Sequence, residues 1–233
     1  MALDVYVMPL GRFKRGDFQT GMERLGKGSG VKVRSVNAKG NANERGVAGK
    51  TAEAEIARIK EAVRKANPGV AVEWGDVGET VFEQQCWWEF AGLKAYAKWV
   101  DVRDEVREFG EPPGRNWYKH PAYVVPVEGR EWTFPAIVDG DFFGGYLLPV
   151  DFERRVQVEP WRMRKWTFSR GVGSAPRVLA EVEGVCELLG IGDKAASEVE
   201  RGDFMGVVRV GAATLRDVCR LACKKGLPVI FSG

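Results

Sequence analysis

The chain has 233 residues, of which 45% are hydrophobic and 29% charged, and its formal net charge is +3. That composition belongs to a globular chain with a sizeable core, and the charge is too small to imply a nucleic-acid partner by itself. No apolar run reaches the roughly 18 residues needed to cross a bilayer, and four cysteines in a chain of this length are not a disulfide framework, so the sequence points to the cytoplasm.

Leu3 to Met8 predicts an opening β-strand. Asp4 interrupts its apolar run and no basic stretch precedes it, unlike a secretory signal. Gly11-Arg12-Phe13-Lys14-Arg15-Gly16 reads as a loop, and Phe18 to Leu25 as a short helix. Gly26 to Gly49 is rich in glycine, asparagine and lysine, with Val31 to Val36 alternating like an exposed strand. Residues 1–50 hold ten basic residues against four acidic ones, and the acidic excess is expected in the helical region after Thr51.

Thr51 is placed to cap a helix over Ala52 to Ala66, in which Ile56, Ile59 and Val63 share one face. Asn67-Pro68-Gly69 stops it, and Val70 to Trp74 predicts a short strand. Phe82, Cys86, Phe90, Leu93, Ala97 and Val100 predict the longest helix, Glu79 to Phe109, with Trp87, Trp88, Tyr96 and Trp99 widening its apolar face. Gly110-Glu111-Pro112-Pro113-Gly114 is the strongest breaker. The chain reads as a single domain over 1–233, with 110–114 as the place for any lobe boundary.

Tyr123 to Val127, Trp132 to Val138 and Tyr146 to Phe152 read as strands whose prolines suit edges or bulges. Arg155 to Val158 and Met163 to Phe168 add further strand. Ser174 opens a helix with Pro176 in its first turn, Val178, Val182, Cys186 and Leu189 line its buried face, and Gly190 ends it. A last helix over Val207 to Lys225 buries Leu215, Val218, Cys219 and Ala222, Gly226 follows it, and Leu227 to Phe231 closes the chain as a strand. Strands cluster here instead of alternating with helices. The fold class expected is α+β, a mixed or mainly antiparallel sheet packed against aromatic-rich helices.

The only histidine is His120, in the turn-like Trp117-Tyr118-Lys119-His120-Pro121. One imidazole excludes multi-histidine metal sites, and any Ser-His-Asp or Cys-His device would have to run through it. Cys219 and Cys223 share a helical face and read as small core residues. No metal, cofactor or catalytic residue is nominated.

Gly46-Val47-Ala48-Gly49-Lys50-Thr51 ends like a phosphate loop, but Glu44 stands where that loop needs its first glycine. Gly171-Val172-Gly173 breaks the dinucleotide fingerprint at Pro176. Even so, Gly171, Gly173, Ser174 and the flanking Arg170 and Arg177 form a candidate anion-binding turn at a helix start. Trp161 to Arg170 interleaves basic and aromatic groups, and Arg162, Arg164 and Trp166 are the nucleic-acid candidates. Asp139-Gly140-Asp141 reads as a polar turn, because Phe143 replaces a needed oxygen ligand.

Three pieces carry a resemblance: Met1-Ala2-Leu3-Asp4-Val5, the strand Leu148-Pro149-Val150-Asp151-Phe152, and the helix opening Gly173-Ser174-Ala175-Pro176-Arg177-Val178-Leu179. Together they resemble a set of uncharacterised bacterial proteins sharing a Leu-Pro-x-Asp-Phe strand and a Gly-Ser-x-x-x-Leu helix. The resemblance implies a bacterial, cytoplasmic protein and carries no catalytic residue. The functional expectation is a non-enzymatic binding protein, immunity-like or an accessory factor, with a protein partner. Its binding surface is placed on Lys27 to Lys50 and the Arg170 to Arg177 turn. The alternatives are an enzyme or binder of a phosphorylated small molecule at 170–177 and, disfavoured by the modest charge, nucleic-acid binding.

Overall fold

The computed structural model describes residues 3–20, 23, 27–29, 49–86, 89–105, 107–114, 116–142, 144–163, 166–200 and 202–232. The predicted strand at Val31 to Val36, the phosphate-loop resemblance at 44–48 and most of the Lys27 to Lys50 surface lie outside these residues.

The elements run β1 (Leu3–Val7), α1 (Leu10–Arg15), α2 (Gly49–Ala66), β2 (Phe82–Cys86), α3 (Glu89–Val102), α4 (Pro121–Val124), α5 (Pro135–Val138), β3 (Tyr146–Leu148), β4 (Val156–Met163), β5 (Trp166–Ser174), α6 (Ala175–Leu188), α7 (Phe204–Lys225) and β6 (Val229–Ser232). The six strands form one mixed sheet in the order β2-β1-β6-β3-β5-β4. β3 and β5 are parallel, and the other neighbouring pairs are antiparallel. The expected α+β class with a mixed sheet is what forms. β4, an edge strand, carries a register shift between Val158 and Pro160, where a proline lacking its N–H is tolerated.

Strict alternation splits the core in two. Tyr6, Met8, Tyr146, Leu148, Val172 and Ile230 face Ile56, Ile59 and Val63 of α2. Val5, Val7, Leu147, Val229 and Phe231 face the larger layer made by α3, α6 and α7. Each face holds an aromatic trio. Tyr6, Phe13 and Phe18 have ring centroids 5.3 to 6.0 Å apart on one side, and Phe90, Phe142 and Phe231 lie 5.3 to 5.6 Å apart on the other. Fully burying such a side chain contributes about 1.5–3 kcal/mol, which applies to Phe90, Phe142 and Phe231, whereas Phe13 and Phe18 are only partly buried.

α7, of 22 residues, starts with Asp203 accepting from the Gly206 N–H at 2.8 Å and ends at left-handed Gly226. It crosses α3 very closely: a Cβ on Gly211 would sit 2.5 Å from the Glu89 carbonyl oxygen, so only glycine fits.

Several local expectations are overturned. The predicted helix over 79–109 is a strand, β2, followed by α3. Phe82 and Cys86 are four apart, a spacing that places residues on one face of either element, and antiparallel pairing with β1 selects the strand. Gly11 to Arg15 is helical because Asp76 Oδ1 accepts the Gly11 N–H at 2.8 Å, a partner 65 residues away. Tyr123 to Val127 and Trp132 to Val138 do not form strands. Pro121 and Pro135 open single helical turns there, and the Glu181 carboxylate accepts both the Ala136 and Ile137 N–H groups at 2.9 Å. Val70 to Trp74 is outside the sheet; Gly75 beside it donates to the Gly226 carbonyl at 2.7 Å.

Candidate functional site

α6 and α7 pack side by side over the sheet, and the segment joining them returns along the outside of α7. Ser174 caps α6, whose Val178, Val182, Val185 and Cys186 point inward. Glu183 and Glu187 therefore fall on the outer side. After α6, Gly190 and Gly192 take left-handed conformations with φ of 64° and 57°, a turn region open chiefly to glycine. From there residues 192–200 form a strap that runs back toward the start of α7.

Three anchors fix the strap. Arg220 donates to Glu183 at 2.7 Å and to Asp193 at 3.0 Å. Arg216 reaches the carbonyls of Gly192 and Lys194, while Asp217 Oδ2 accepts the Ala196 N–H at 3.1 Å. At the far end Asp203 caps α7. Residues 203 and 220 are 17 positions apart on the helix, about 25 Å at 1.5 Å per residue. Along this length Glu187, Asp193, Glu198, Glu200 and Asp203 are exposed. The stretch 181–203 holds seven acidic residues and two basic ones. This acidic excess is present in the sequence itself and is opposite in sign to the balance of the first 50 residues.

The predicted anion turn has a different character. Gly171, Gly173, Ser174 and Arg177 do converge, lining a cavity of about 320 Å³ beside Asp139, Asp141, Glu153, Arg155 and Glu181. Its arginines already have acceptors. Arg177 pairs with Asp151 at 2.8 Å, Arg155 with Asp139 at 3.1 Å and Asp141 at 3.7 Å, and Arg170 donates to the Tyr146 hydroxyl at 2.6 Å. A phosphate there would have to displace carboxylates. Burial pushes the Glu181 carboxyl up, against the pull of its two backbone donors and Arg177.

Of the nucleic-acid candidates, Arg162 near the end of β4 and Trp166 at the start of β5 stand one register position apart across that antiparallel pair, and Arg164 falls outside the described residues. His120 is structural. Its Nδ1 accepts the Ala122 N–H at 3.1 Å, so Nε2 carries the proton and donates to the Glu111 carbonyl at 3.0 Å. Burial raises the thiols of Cys186, Cys219 and Cys223 away from the reactive thiolate. Among the described residues no cluster of His, Cys, Asp and Glu could hold a metal ion, and no helix is long and apolar enough to cross a membrane. A second, apolar cleft of about 950 Å³ opens where the strap meets α7, lined by Trp117, Tyr118, Phe204, Met205 and Asp203.

Fold and surface together define a mixed-sheet α+β protein that carries a pinned row of carboxylates on one outer layer. The chain belongs to the family described as "Putative DNA-mimic protein", whose model matches residues 41–231. Neither the curated proteins nor the solved structures contain a match. Family membership corrects the function expected from the sequence. The immunity-like or accessory binder is overturned, as are the phosphorylated-ligand and nucleic-acid alternatives, and the pairing of Arg177 with Asp151 and of Arg155 with Asp139 gives a physical reason against the phosphorylated ligand. The coarser expectation of a protein partner stands.

Proposed function

We propose that this chain acts by charge mimicry: the carboxylates of the 187–203 face occupy the DNA-binding surface of a protein partner and exclude DNA from it. The observation that carries this reading is the row of exposed acidic side chains along α7, in which Arg220 holds Asp193, the Ala195 N–H holds Glu198 and the Gly206 N–H holds Asp203. Duplex DNA offers one phosphate per about 3.4 Å of axis on each strand. Asp193, Glu198, Glu200 and Asp203, spread over about 25 Å, amount to one carboxylate per roughly 6 Å. The net charge of +3 does not oppose this, since exposed charges act over only about 8 Å at physiological salt. A partner therefore meets the local row, not the molecular total.

The test is displacement. Extract from the source cells is loaded on double-stranded-DNA cellulose, which is then washed with the purified protein. The expected result is release of a discrete DNA-bound protein that forms a complex with the chain, with affinity falling steeply as salt rises. The combined variant Glu187→Gln, Asp193→Asn, Glu198→Gln, Glu200→Gln and Asp203→Asn keeps the caps and hydrogen-bonding capacity but removes five charges, and it should release nothing. If the wild type releases no protein, or the variant works equally well, the reading fails.

A further inference from the structure

We infer that Arg216 is the positioning residue of the acidic strap: its buried guanidinium sets which side chains of 192–198 face a partner. The inference rests on the reading of that face as the docking surface.

Arg216 is 1% exposed and sits in α7 between the core residues Leu215 and Val218. A charge removed from water is costly unless its donors are matched, and here they meet two strap carbonyls and the neighbouring Asp217 carboxylate. One Nη meets the Gly192 carbonyl, and the other meets the Lys194 carbonyl. Nε and Nη2 both reach Asp217 Oδ1, at 3.1 and 3.0 Å. The second oxygen of Asp217 then accepts the Ala196 N–H at 3.1 Å. Residues 192, 194 and 196 are thus hooked at every second position.

The two carbonyl hooks leave the Asp193 side chain 88% exposed, and Lys194, Ser197 and Glu198 around them are exposed as well. A point-like ammonium cannot reproduce the fork, because lysine lacks the planar array of donors that reaches two carbonyls and a carboxylate at once. Replacing a buried ion pair with apolar groups is often neutral for stability, so a buried arginine at this place is better explained by the shape it imposes on the strap. Arg220 differs: it is 44% exposed and pairs Glu183 with Asp193 across open surface, where such pairs contribute little.

The test measures amide hydrogen exchange along 192–198, the melting temperature, and the concentration that releases half of the displaced protein from the DNA cellulose described above. In Arg216→Lys the Ala196 amide should lose at least tenfold of its protection while the α7 amides keep theirs, and half-release should need at least tenfold more protein. Arg220→Gln should leave Ala196 protection unchanged. Should Arg216→Lys fail to fold, Asp217→Asn, which weakens the same hook from the surface side, carries the same expectations. Unchanged Ala196 protection overturns the inference, as does lost protection with an unchanged release point. A wild type that releases nothing overturns the proposed function instead, and the exchange data still decide whether Arg216 holds the strap.

Discussion

The two faces of the sheet are covered by the same means and charged differently. Under α2 the outer helix mixes five basic with three acidic residues over 49–66, and Lys60 and Arg64 meet Glu73 at 2.8 and 3.1 Å. Over α6 and α7 the outermost layer is the acidic strap; Arg216 of α7 is turned inward onto its carbonyls, while Arg220 and Lys194 stay exposed beside its carboxylates. Charge is thus segregated by face while the chain total stays near zero. Core packing is shared; surface charge is not.

The comparison can be broken first in the core. Leu215→Ala and Ile59→Ala, one on each face and both fully buried, should each lower unfolding free energy by about 2–5 kcal/mol, measured by urea denaturation. If one face were dispensable, its variant would melt locally without shifting the global transition. Gly211→Ala forces α7 off the Glu89 carbonyl and should cost about 1–3 kcal/mol by the same measurement. Asp203→Ala removes the α7 cap and one strap charge, so it should cost about 1 kcal/mol and also weaken release from DNA cellulose. The smallest effect sharpens the contrast most. Glu53→Gln with Glu61→Gln on α2 should leave both stability and release unchanged, and a loss of release there would move the docking surface to the opposite face.

Much of the fold was legible wherever local signals agreed. Ser174 with Pro176 opens α6 as expected and Gly226 closes α7, whereas the expected strand Met163 to Phe168 straddles the end of β4 and the start of β5, and Gly171 to Gly173, expected as a turn, belongs to β5. Errors came where a distant partner decided the backbone. Asp76 made Gly11 helical, and Glu181 turned Ala136 and Ile137 into a helix start. At Phe82 and Cys86 the spacing itself was ambiguous until β1 supplied a pairing edge. The candidate site was legible only as composition. The seven acids of 181–203 could be counted, but Arg216 and Asp217 were needed to show that they form a row.

The missing Cβ at Gly211 has one more consequence. With α7 resting against the backbone of α3, it has little room to roll about its own axis, and the strap hooked to its far side inherits that stiffness. A partner tugging at the carboxylates would be working against the whole sheet, not a loose loop, so release should come by desolvation and exchange of ions before any part of the chain bends.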